Sequence, residues 1–210
     1  MQKRHRVFIA INLPEDVKKE LASFQKKWTQ LPAKWTNAEN LHITLVFLGY
    51  LTDEELGEVC LVVKEIAKNY NSLDINLNKV SYGPDDKISF DTAQDKPPRF
   101  IWANGEKSKE LSLLKNGLQE ALLEKVSFIP ELRAFSPHIT LARINAFEWR
   151  AIEPEERPEV NENIDLTFTV ESIEVMESQL KKGQDARASH KMGAPVSGPQ
   201  YTIIESHQLQ

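Results

Sequence analysis

Val7-Phe-Ile-Ala-Ile11 is an unbroken apolar run rich in β-branched residues and stopped by Asn12-Leu-Pro14, which predicts a buried strand. Beyond Pro14 the period changes. Glu15 and Asp16 suit a helix start, and Val17, Leu21, Phe24, Trp28 and Leu31 follow at spacings of four and three, giving one apolar stripe with Lys and Glu opposite. Leu41 to Leu48 reads as a second strand. Thr52-Asp-Glu-Glu55 then has the form of a capping box, leading into a helix whose inner face carries Leu56, Val59, Cys60, Val63 and Ile66. Leu73-Asp-Ile-Asn-Leu77 alternates cleanly, and Ile88, Phe90 and Phe100-Ile-Trp-Ala103 add short strands between Pro- and Asp-rich turns. Leu111, Leu114, Leu118 and Leu122 mark a third helix. Strands are predicted at Ile139 to Ala142, along the β-branched stretch Ile164 to Met176, and at Tyr201 to Ile204. Trp149 to Asn163 and residues 181–197 lack any apolar period and read as loops. Helices and strands mixed in this way indicate an α+β fold.

Composition narrows the class. The chain has 210 residues, is 40% hydrophobic and 27% charged, and so can bury a substantial core as one domain spanning 1–210. Its lone cysteine, Cys60, permits no internal disulfide and falls on an apolar helix face, where a small inert core residue is the expected role. No apolar run approaches the roughly 20 residues that span a bilayer, and the run after Met1-Gln-Lys-Arg-His-Arg6 is too short for a secretory leader. A cytoplasmic protein with no membrane partner is expected. The net charge of -5 argues against coating long nucleic acid, which requires many Lys and Arg on phosphates, but leaves room for a small phosphate site.

Attention therefore moves to the five histidines. His42-Ile-Thr-Leu45 recurs as His138-Ile-Thr-Leu141, 96 residues later. Residues two apart on a strand share a face. His42 and Thr44 then point one way while Ile43 and Leu45 enter the core, and His138 and Thr140 do the same against Ile139 and Leu141. Two such strands related by an approximate two-fold would gather two imidazoles and two hydroxyls around one cleft. That set suits phosphoester cleavage without a metal. A neutral imidazole takes a proton from water and a protonated one gives a proton to the leaving oxygen, while the hydroxyls donate to non-bridging phosphate oxygens. Zinc, the rival use of paired histidines, normally draws on three or four protein ligands, and neither motif brings a Cys, Asp or Glu at ligand spacing. The sequence also lacks the Gly-x-Ser-x-Gly and P-loop signatures. His5, in the basic run Lys3-Arg-His-Arg6, is expected at a solvated terminus, although that run would also favour a nearby phosphate. His207 is expected to be exposed.

In these contexts the chain resembles the two-histidine phosphoesterases, and within them the RNA 2′,3′-cyclic phosphodiesterases once named 2′-5′ RNA ligases. The likeness spans Arg6-Val-Phe-Ile-Ala10, Trp35, Asn40-Leu-His-Ile-Thr-Leu45 with Phe47-Leu-Gly49, Phe135-Ser-Pro-His-Ile-Thr-Leu-Ala-Arg143, Met176-Glu-Ser178 and Gly198-Pro-Gln-Tyr201. It implies a bilobal pseudo-two-fold duplication in which two antiparallel sheets, backed by helices, enclose a central groove. The lobes would cover roughly 1–92 and 93–178, with the C-terminal strand returning. It further implies metal-free, cofactor-free hydrolysis of RNA cyclic phosphate ends to 2′-phosphates by a monomer, with His42 and His138 as the catalytic pair and Thr44 and Thr140 on the phosphate. Arg143 would be a further phosphate ligand, although strict alternation turns it away from His138 unless the strand ends or bulges near Ala142. By the same alternation Phe47 belongs in the core. Near-symmetry leaves the acid and base roles open, with His42 as acid and His138 as base the favoured assignment. Three rivals stand beside this reading: reversible 2′-5′ RNA joining, hydrolysis of a small cyclic nucleotide, and a non-catalytic nucleotide-binding module. Residues 181–197 depart from the family pattern as an inserted loop, a flexible surface segment or a basic flap over RNA phosphates.

Overall fold

Val7, Ile9 and Ile11 are almost wholly buried along β1 (His5–Asn12), so the first apolar run forms the expected strand. The structure, a computed structural model, describes residues 3–84, 97–179 and 199–210. The predicted strand at Ile88 and Phe90 and the 181–197 loop lie outside them. Helix α1 (Glu15–Ser23) is shorter than its apolar stripe, because the chain tightens into a 3₁₀ turn at Phe24–Lys26, yet Phe24, Trp28 and Leu31 remain buried. Strands β2 (Ala33–Trp35) and β3 (His42–Leu51) follow. The capping box of α2 (Asp53–Ala67) is complete: the Glu55 backbone N–H donates to Thr52 Oγ1 at 3.2 Å, and the Thr52 N–H donates to the Glu55 carboxylate at 2.8 Å. Such a cap stabilises a helix by about 1 kcal/mol.

Strands β4 (Leu73–Gly83) and β5 (Phe100–Gly105) lead to α3 (Lys109–Leu123), whose four stripe leucines are fully buried. After β6 (His138–Ile144) comes the short α4 (Ala146–Arg150), whose last two residues fall in the stretch read as a loop from Trp149. The long Ile164 to Met176 run is two strands, β7 (Asn161–Val170) and β8 (Ser172–Gln179), divided at Glu171. Strand β9 (Gln200–Gln208) closes the order.

The strands pair antiparallel in the order β7-β4-β5-β6-β3-β1-β8-β9, with β2 also on β6. The two sheets implied by the resemblance are thus hydrogen-bonded into one, through a single bridge between Ile43 and Ile139. The halves do not follow a cut near residue 92. Strand β4 leaves the first half of the chain to pair with β5, and β8 leaves the second half to pair with β1, so each half-sheet is completed by the other half of the sequence. One core, built from inward residues of α1, α2, α3 and the strands, runs behind both. Phe8, Ala10 and Met176, joined by Tyr201, form a separate cluster that includes none of the helices. The catalytic candidates lie on this second face.

Candidate active site

Both motif histidines open their strands, where the sheet halves meet. Carried one residue either way, the antiparallel register at Ile43 and Ile139 sets His42 beside Thr140 and Thr44 beside His138. Each imidazole is held in the same manner. His42 Nδ1 lies 2.7 Å from the Asn40 carbonyl and His138 Nδ1 lies 2.9 Å from the Ser136 carbonyl. A carbonyl only accepts, so Nδ1 carries the hydrogen in both rings and Nε2 is left for chemistry. His42 Nε2 meets Thr44 Oγ1 at 3.0 Å. Aromatic rings flank both imidazoles: Phe8 and Tyr201 lie 5.0 Å from His42, and Trp102 lies 4.0 Å from His138. Trp102 rests against Gly83, where an added Cβ would sit 2.2 Å from the indole.

Identical irregularities follow both motifs. Between Ile9 and Ala10 of β1, the pairing on β3 skips from Val46 to Thr44 and leaves Leu45 unpaired. Between Ile101 and Trp102 of β5, the pairing on β6 skips from Ala142 to Thr140 and leaves Leu141 unpaired. Each bulge reverses the phase of the strand beyond it. Leu45 and Val46 are therefore both buried, as are Leu141 and Ala142. The fifth residue after each histidine returns to the histidine's face. In β6 that residue is Arg143, exposed and with its guanidinium 4.8 Å from the Phe100 ring centre. In β3 it is Phe47, which is 65% exposed and lies 6.0 Å from Phe8, so the core role expected for Phe47 is corrected. A second skip leaves Leu48 unpaired, beside Gly49 at φ +84, a value costly for any other residue.

The electrostatics of the protein groups favour neutral rings. Burial pushes His42 below its ordinary value near 6.5, the Asn40 carbonyl opposes this, and charge on His138 and Lys18 adds to the depression. Burial likewise lowers His138, against the Ser136 carbonyl. An anion bound between the rings would favour protonation of one of them.

His42, Thr44, His138, Thr140 and Arg143 are thus brought to one face. Trp35 is half-buried against the core, and β2 pairs it with Ala142. Cys60 is buried, its thiol pushed up to about 11 by burial and Glu205, in keeping with an inert role. Two further expectations fail. His5 is not solvated: it is 6% exposed, with Nε2 at 2.8 Å from Asp53 and Nδ1 at 2.7 Å from Glu177. His207 is half-buried beside Glu205. Sequence reasoning passed over Phe8, Trp102 and Tyr201. For Phe8 and Trp102 the available signal was a large aromatic near the middle of the strand preceding each motif's helix.

Residues 11–88 and 101–184 match the family described as LigT-like phosphoesterase, with one His-Ile-Thr-Leu in each segment. The chain belongs to that family. This phosphoesterase is 29% identical to the RNA 2′,3′-cyclic phosphodiesterase of Thermus thermophilus, with 98% of the chain and 90% of the relative covered. It is 26% identical to the enzyme of the same name from Methanothermobacter thermautotrophicus, covering 97% and 98%. A Thermus thermophilus crystal structure superposes with a TM-score of 0.74 over 97% of both chains at 27% identity. Escherichia coli LigT complexed with 3′-AMP shares the fold, with a TM-score of 0.69, 20% identity and 99% of both chains covered. Among the described residues no helix of the phosphoesterase is long and apolar enough to cross a membrane.

Proposed function

We propose that this phosphoesterase hydrolyses 2′,3′-cyclic phosphate ends of RNA to 2′-phosphomonoesters, without a metal, using His42 and His138 as an acid–base pair. One observation carries the reading: both Nδ1 atoms are committed to carbonyls, so two Nε2 atoms from symmetry-related strands are available to one phosphate. Relatives named for this reaction, at 26–29% identity along nearly the whole chain, support the choice of substrate.

In the reaction, water loses a proton to one Nε2 as its oxygen attacks phosphorus, and the P–O3′ bond breaks as O3′ takes a proton from the other. Thr44, Thr140 and Arg143 hold the non-bridging oxygens, where charge accumulates. His138 suits the base, because its carbonyl hydrogen bond is exposed and no protein group among the described residues bonds its Nε2; His42, enclosed by Phe8 and Tyr201, suits the acid. The support for a metal-free route is that every proton donor and acceptor the steps need is already present. Both motifs come from one chain, which supports a monomer as the active unit.

The test is incubation of purified protein, with a strong chelator, with RNA ending in a 2′,3′-cyclic phosphate. A 2′-phosphomonoester as sole product is expected. Loss of activity with chelator would overturn the metal-free route; a joined RNA, or no product, would overturn the hydrolytic one.

A further inference from the structure

Beyond the reacting phosphate, the groove floor of the first half-sheet continues past Phe8 toward the start of β1. Arg6 lies there, two residues before Phe8 and on the same face, exposed to solvent. Among the described residues it has no carboxylate partner, whereas its neighbour His5, on the opposite face, has two. Continuing the β1–β8 register one step beyond Val7 and Glu177 brings Ser178 beside Arg6, and Ser178 in turn pairs with Tyr201 on β9. A row of guanidinium, hydroxyl and phenol therefore crosses three strands. Ser178 is 8% exposed, and among the described residues its Oγ has no hydrogen-bond partner. A buried hydroxyl is rarely left unpaired, so this one calls for a ligand. On the other side of β1, Arg6 pairs with Tyr50, which the second bulge of β3 turns to the same face and which is 61% exposed. Burial raises the Tyr201 phenol, and the charges of Arg6 and Arg143 oppose that shift.

We propose that Arg6, with the hydroxyls of Ser178 and Tyr201, forms a second anion subsite that holds the phosphodiester one nucleotide inward from the cyclic end. The proposal rests on the function given above and extends it from one phosphate to a chain. Arg6 lies four residues from Ala10, the residue paired with Thr44, or about 13 Å along the strand at roughly 3.3 Å per residue. A long arginine side chain reaches back over part of that span, leaving a separation suited to the next phosphate of a strand. A cation among exposed aromatics is also the composition that single-stranded nucleic acid favours. The subsite makes the enzyme selective for RNA ends over free cyclic nucleotides, since a cyclic mononucleotide lacking a 5′-phosphate leaves it empty.

The experiment compares adenosine 2′,3′-cyclic phosphate with a dinucleotide ending in the same cyclic phosphate, using wild type, Arg6→Ala, Arg6→Lys and Ser178→Ala. Wild type should prefer the dinucleotide. Arg6→Ala should lower kcat/KM for the dinucleotide about tenfold, mainly through KM, and that for the mononucleotide by less than about twofold. The dinucleotide's logarithmic salt slope should shrink by about 0.7. Arg6→Lys should restore part of the loss, and Ser178→Ala should cost about two- to threefold. Equal loss on both substrates, or no loss on either, would overturn the subsite. Equilibrium binding of both ligands in a His138→Ala background reads the same preference without turnover. If wild type hydrolyses neither substrate but Arg6→Ala still weakens dinucleotide binding selectively, the proposed reaction fails and the subsite stands.

Discussion

The unit β1–α1–β3 and the unit β5–α3–β6 use the same backbone devices and different side chains. Each starts its second strand with a histidine whose Nδ1 is tied to the carbonyl two residues back, and each bulges three residues after that histidine. The fifth position is Phe47 in one and Arg143 in the other; the ring under the histidine is Phe8 in one and Trp102 in the other. Tyr201 closes on His42 alone. Matched backbone geometry thus presents the two imidazoles in the same way, and under the proposed mechanism the unmatched side chains would give the substrate a direction.

The strongest way to break this comparison is to remove one histidine at a time. His42→Ala and His138→Ala should each lower kcat/KM by about 10²–10⁴-fold, and the double variant should be little worse than the poorer single one, as for groups that act together. A single variant within tenfold of wild type would end the idea of equal partners. Next come the hydroxyls: Thr44→Val and Thr140→Val should each cost on the order of 10²-fold in kcat. A loss confined to one would mean that the phosphate leans on one half. The asymmetry is then tested by making the halves alike. Arg143→Phe should lower kcat/KM by roughly 10- to 100-fold, and adding Phe47→Arg should not restore it, because the cation would return on the wrong side of the phosphate.

Acidity gives the smaller effects. Both motif histidines are lowered, so the alkaline limb of kcat/KM, which reports loss of the acid in the free enzyme, should fall with a midpoint below 6.5. A midpoint above 6.5 would contradict the buried pair. His5 has the opposite sign. Hydrogen bonds to Asp53 and Glu177 raise it, so its stabilising effect is full below about 6.5 and is lost as pH rises through the raised value. The thermal midpoint of wild type should decline across that window more steeply than that of His5→Gln, and parallel curves would show that the ring is not charged in the fold.

The sequence made the site legible where residue type and spacing act locally. The His-x-Thr alternation, the Thr52–Glu55 box and the α3 leucine stripe are such features, and each is present. What escaped depended on two strands at once. A bulge is an excess of one residue over the partner strand, and nothing in Leu45 or Leu141 announces it. Arg143 was legible only as a condition on such a bulge, and Phe47 was misassigned for want of one. His5 was misread because its carboxylates come from residues 53 and 177, distant in sequence. The exchange of β4 and β8 was likewise invisible in local periodicity.

That exchange sets a timetable. A ribosome making this chain releases His42, Thr44 and the neighbouring strand β1 early, yet β1 cannot acquire its β8 partner until residue 177 has emerged, after the second motif has been made. The first half-sheet must wait with an open edge for most of synthesis, an arrangement that slows folding through long loop closure and leaves the nascent protein most exposed to wrong pairing in that interval.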